Sequence, residues 1–131
     1  LVPVDSPKLV YHQGSGVIET PEGVTVAFGW AGKGIGKNRP EVQNVKCIGP
    51  LPQGLYVVGV WEDHPRLGKM VTPLTQIEGE TFDRGSFFIH GPSKDPLHYG
   101  QESMGCIVVP FTSRLKIRED LPEGSYLRVE A

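Results

Sequence analysis

Two residues of this 131-residue chain have the types and spacing for covalent chemistry, His90 and Cys106. The segment Phe87 to Pro110, FFIHGPSKDPLHYGQESMGCIVVP, puts His90 at the end of one apolar run. Cys106 follows sixteen residues later, at the start of another. A free thiol is a weak nucleophile near neutral pH because little of it is thiolate. A neighbouring imidazole takes its proton or stabilises the thiolate as an ion pair. The pattern therefore suggests a Cys/His acyl-transfer site. Gly105, directly before Cys106, lets backbone approach a substrate closely. The amides of Met104, Gly105 and Cys106 are candidates for an oxyanion hole. Ser103 is placed to hydrogen-bond either the loop or the imidazole. His98, inside the loop, is the alternative base, less favoured because His90 ends a strand.

Plainer readings exist for each residue. A histidine at a strand end is often just satisfied there, and a free cysteine is often a small core residue. The two together, each beside a glycine (Gly91 and Gly105), favour catalysis. A Cys47–Cys106 disulfide would consume the thiol in the polar, Gly-flanked loop and is the lesser reading. A zinc site would draw on Cys106, His90, His98 and His64. The chain has no CxxC or HxxxH pair, so neither metal nor cofactor is expected. Papain-like and NlpC/P60-like peptidases place Cys before His, the reverse order. Sortases place His first, but much further away.

These residues need strands to hold them. Leu9–Gln13 and Gly16–Thr20 read as a hairpin, and Val24–Phe28 alternates as a third strand. Leu55–Trp61 is apolar enough to be central. Val71–Ile77 is extended, with Pro73 demoting it to an edge. Trp61–Gly68 reads as a polar loop. Phe87–His90, Cys106–Val109 and Ser125–Val129 complete the strands. Phe111–Glu119 is the one helix, with Thr112 or Ser113 as its cap. The Gly/Lys loop from Gly29 to Pro40 lacks the GxxxxGK[ST] spacing of a phosphate loop. Frequent punctuation, 17 Gly and 12 Pro, suits short strands and turns. The expectation is a mainly β single domain over 1–131, barrel- or sandwich-like with one short helix. The Cys/His pair would sit at one end of adjacent strands, under the Gly32–Pro40 or the Pro92–Glu102 loop.

Composition narrows the function. Hydrophobic content of 38% and charged content of 21% describe a globular chain. No apolar run is long enough to span a bilayer. A net charge of −2 without a basic block argues against nucleic acid. The chain opens on Leu1 rather than Met, as in a processed or trimmed chain.

At these motifs the chain resembles the L,D-transpeptidase superfamily. That family carries a His, a loop, and then Ser/Thr-His-Gly-Cys. Here His90 is followed, after twelve residues, by Ser103-Met104-Gly105-Cys106. The segments GPLPQGLY (Gly49–Tyr56), FFIHG (Phe87–Gly91) and SMGCIVVP (Ser103–Pro110) look closer to the L,D-transpeptidase-like toxins of bacterial type VI secretion. YHQGSGVI and GKGIGKNRP are also similar. Met104 departs from the ordinary family, which has His there. Ile107 and Val108 stand where the family carries Asn and Arg.

The resemblance implies an L,D-transpeptidase-like β fold and an enzyme acting on peptidoglycan tetrapeptide stems. Cys106 would attack the carbonyl of the third residue, a diamino acid, and His90 would protonate the departing D-Ala. Water would then give L,D-carboxypeptidase activity, a D-amino acid exchange, and a second stem a cross-link. Stem carboxylates make Lys33, Lys37, Arg84 and Arg114 candidate binders, Arg114 foremost, beside Gly91 and Met104. The implied setting is secretion and action in the bacterial periplasm, that of a target cell for an effector. The effector branch further implies an immunity protein and a secretion-system component as partners. The alternatives are a housekeeping cross-linking enzyme, or a non-catalytic wall-binding or interaction module.

Overall fold

The computed structural model describes residues 6–92 and 103–131. Nine strands, one α-helix and two 3-10 turns make up the described chain. The strands are β1 (Leu9–His12), β2 (Val17–Glu19), β3 (Thr25–Phe28), β4 (Gly54–Val58), β5 (Glu62–His64), β6 (Gly68–Glu78), β7 (Phe87–His90), β8 (Ile107–Val108) and β9 (Tyr126–Glu130). The helix α1 spans Phe111–Asp120, and the 3-10 turns Gly34–Gly36 and Pro40–Val42 lie in the Gly/Lys loop and just beyond it. No helix among the described residues is long and apolar enough to cross a membrane.

The strands form one mixed sheet in the order β3-β2-β1-β9-β4-β6-β7-β8, with β5 paired to β6. Two pairs are parallel, β1 with β9 and β7 with β8. The sheet curls into a half-barrel whose edges touch at one place. Trp30, just past β3, exchanges backbone hydrogen bonds with Val108 of β8 at 3.0 and 2.7 Å. Gly29 makes this approach possible, because a Cβ there would stand 2.6 Å from the Val108 carbonyl. Inward residues of the strands, among them Tyr11, Ile18, Tyr56, Ile89, Ile107 and Leu127, fill the interior with Ile117 of α1. Alternation in β9 sends one face inward, the period-2 pattern of a half-buried sheet.

Three sequence expectations need correction. The strand with Pro73 is not an edge: β6 lies between β4 and β7. Proline is tolerated because its missing N–H faces the end of β4. The Gly59 amide still donates to the Pro73 carbonyl at 2.9 Å. The Gly59 carbonyl, which Pro73 cannot serve, accepts the Thr72 hydroxyl at 2.9 Å. Second, the polar loop after Trp61 contains β5, which makes a hairpin with β6. Third, α1 has no side-chain cap, and Pro110 takes the capping position ahead of Thr112 and Ser113.

Candidate active site

The parallel register of β7 and β8 sets how His90 and Cys106 lie relative to one another. Ile89 lies opposite Ile107, and His90 opposite Val108. Continued by one residue, that register sets Cys106 beside Phe88. Side chains alternate along a strand, so Cys106 and His90 share a face as diagonal neighbours. Their Cα atoms then stand on the order of 8 Å apart, within the combined reach of an imidazole and a thiol. Both residues line one cavity of about 370 Å³, with Lys46, Cys47, Arg66, Leu67, Arg84, Gly85, Ser86, Phe87, Phe88 and Met104.

His90 is 2% exposed. Its Nδ1 lies 2.9 Å from the Gly91 carbonyl oxygen. A carbonyl only accepts, so Nδ1 carries the hydrogen and Nε2 the lone pair of the neutral ring. That is the tautomer a general base requires. Cys106 is half-buried, and its Sγ lies 3.8 Å from the Ser86 carbonyl. Burial pushes its thiol above the ordinary range. The backbone amides of Phe88 and of Cys106 itself, and the Arg84 charge, pull the other way without cancelling that effect. Cys106 thus rests as the thiol, and attack by its sulfur needs a base to take the proton. Both cysteines are free.

The Ser103-Met104-Gly105 turn is held from several sides. Ser103 is fully buried, and its hydroxyl accepts the Gly32 amide at 2.9 Å and the Gly105 amide at 3.2 Å. The same hydroxyl donates to the Cys106 carbonyl at 2.6 Å. One donor and two acceptor positions are a hydroxyl's full capacity. Of the two partners open to Ser103, loop and imidazole, the loop has it. Gly105 has φ +124°, and a Cβ on it would meet Arg84 at 2.6 Å and the Phe87 ring at 2.9 Å. Its close approach is therefore to those side chains. With its amide held by Ser103, Met104 and Cys106 remain as the amides for an oxyanion hole. The Met104 side chain, 57% exposed, lines the cavity.

Arg84, a candidate binder of stem carboxylates, is only 6% exposed. Its guanidinium donates to the carbonyls of Pro50 (2.8 Å), Gly49 (2.9 Å), Met104 (3.3 Å) and Gln43. It clamps the 43–50 segment onto the cysteine turn and lies over the Phe87 ring. Desolvation lowers its pKa.

Arg114, expected at the substrate, is elsewhere. It is 5% exposed and donates to the carbonyls of Val109 (2.5 Å), Met70 (3.1 Å) and Lys69 (3.1 Å). It does not line the cavity, and nor does Gly91. Gly91 lies against the Arg114 guanidinium, where a Cβ would overlap it. These two residues join α1 to the end of β7 and the start of β6, a positioning role. Lys33 and Lys37 are also absent from the cavity, and Lys37 sits over the Trp30 ring at 4.8 Å. His98 and the Pro92–Glu102 loop, except Pro92, lie outside the described residues. Sequence reasoning missed Lys46, Cys47, Arg66 and Phe88 as cavity residues. Each is remote in sequence from Cys106 or lies in an unremarkable segment, so no local spacing marks it. Among the described residues no three His, Cys, Asp or Glu side chains converge as metal ligands.

This curled sheet is the fold of the L,D-transpeptidase domain. The chain is similar to the structure of the Ldtfm-avibactam carbamoyl enzyme, with TM-score 0.57 and 16% identity, over 97% of this chain and 49% of that one. It is likewise similar to L,D-transpeptidase 3 from Mycobacterium tuberculosis in complex with a faropenem-derived adduct. There the TM-score is 0.53 and the identity 16%, over 96% of this chain and 61% of that one. The chain thus spans about half to three-fifths of the length of these structures. No family model and no curated protein sequence matches it.

Proposed function

We propose that this domain is a cysteine acyl-transfer enzyme acting on peptidoglycan tetrapeptide stems. The observation that carries this reading is the shared cavity of Cys106 and His90 on adjacent parallel strands of an L,D-transpeptidase fold. His90 Nε2 takes the Sγ–H proton as Sγ attacks the carbonyl carbon of the third stem residue. The amides of Met104 and Cys106 stabilise the oxyanion. The tetrahedral intermediate collapses, the C–N bond to D-Ala breaks, and the imidazolium protonates the departing amine. A thioester on Cys106 remains.

Water or a free D-amino acid is the acceptor we assign. The two residues after Cys106 are the fully buried aliphatics Ile107 and Val108, which offer no polar group to a second stem. L,D-carboxypeptidase and exchange activity follow, rather than cross-linking. Action outside the cytoplasm, delivery as a type VI secretion toxin, an immunity protein and a secretion-system partner are proposed on the motif resemblance of Gly49–Tyr56, Phe87–Gly91 and Ser103–Pro110.

Purified muropeptides incubated with the protein and with Cys106→Ala, analysed by mass spectrometry, test the chemistry. Loss of terminal D-Ala, or its replacement by added D-amino acid, is expected with the native protein only. Unchanged tetrapeptides with folded native protein would refute it and favour a wall-binding module.

A further inference from the structure

The chain holds more acidic than basic side chains, 15 against 13. The cavity around Cys106 reverses that balance. Its charged lining residues are Lys46, Arg66 and Arg84, with no Asp or Glu among the lining residues described. Arg84 contributes charge, but its N–H groups are directed to backbone carbonyls. Lys46 and Arg66 differ. Both are exposed, and neither has a carboxylate partner among the described residues.

The two cations come from separate, anchored walls. Lys46 lies on the 43–50 turn, which Arg84 fixes through Gly49 and Pro50 and which closes on itself by the Gly49 amide to the Val45 carbonyl at 3.0 Å. Arg66 lies at the tip of the β5–β6 hairpin. There His64 Nδ1 accepts the Arg66 and Leu67 amides, each at 3.1 Å. The His64 ring packs edge-on against Phe88, 5.4 Å away, which ties the tip to the strand beside Cys106. Two unpaired cations held on separate walls of a cavity that contains a nucleophile suit an anionic substrate with more than one carboxylate.

We infer that Lys46 and Arg66 are specificity-determining residues that read two carboxylates flanking the scissile bond. One is the terminal carboxylate of the departing D-amino acid. The other is a free side-chain carboxylate on the third residue, as in a diaminopimelate-type stem rather than a lysine or amidated one. This rests on the acyl-transfer reading and names the stem class it prefers.

The test uses two synthetic tetrapeptides that differ only in whether the third-residue side-chain carboxyl is free or amidated, with D-Ala release as the readout. Amidation is expected to raise KM about fivefold with little change in kcat, the scale of one exposed charge pair. Lys46→Gln/Arg66→Gln is expected to remove that discrimination, and Lys46→Glu/Arg66→Glu to reverse it. On the native protein, raising the salt should weaken kcat/KM for the free-carboxyl stem more than for the amidated one. Equal KM for both stems on the native protein overturns this inference and leaves acyl transfer standing. Release of D-Ala from neither stem overturns the acyl-transfer reading and this inference with it.

Discussion

Ser103→Ala separates a structural from a catalytic serine. The hydroxyl satisfies the Gly32 and Gly105 amides and donates to the Cys106 carbonyl, all without exposure to solvent of its own. Alanine leaves both amides buried without this acceptor. Each orphaned buried group costs about 1–3 kcal/mol. The 3.2 Å bond to Gly105 is the weaker of the two, so a total near 3 kcal/mol is expected. Unfolding entropy scales with length. For 131 residues, 3 kcal/mol corresponds to a Tm lower by about 10 °C. Thermal unfolding followed by circular dichroism measures this directly. The same variant should also lose turnover below its Tm, because the turn that aims Cys106 is loosened. A Tm within about 2 °C of the native protein, with turnover lost, would rule out a structural role for the hydroxyl. It would return Ser103 to a direct role at the imidazole.

Further outcomes follow from the same geometry. In a Cys47→Ser background, alkylation of Cys106 should be slow at neutral pH and climb only above the ordinary thiol range, since burial raises its pKa. Arg84→Met, by removing a charge that favours the thiolate, should move that rise higher still, and a labelling plateau already present near pH 6 would contradict a resting thiol. Arg114→Met should destabilise the fold by about 3 kcal/mol by abandoning the carbonyls of Lys69, Met70 and Val109. KM for a tetrapeptide stem should be unmoved in the folded enzyme, and a large KM increase without loss of stability would place Arg114 back at the substrate.

Sequence alone determined the elements and the reactive pair. Period-2 patterning with Gly and Pro punctuation marked most strands, and Phe87–His90 is a strand with those bounds. It also fixed Cys106 and His90 as candidates, because residue type and a strand-loop-strand spacing are local properties. It misjudged Pro73, because tolerance for proline depends on which neighbour faces the missing N–H, here Gly59 with Thr72 as substitute donor. It misplaced Arg114 and misread Arg84, whose guanidinium serves carbonyls, for a related reason. An arginine's sequence neighbours do not tell whether its guanidinium meets water or a cluster of carbonyls from segments 35 to 45 residues away. The register that puts thiol and imidazole on one face, the clamp on the cysteine turn, and the cationic walls of the cavity arise from tertiary packing. Each of these joins residues far apart in the chain, and the curl of the sheet brings them together.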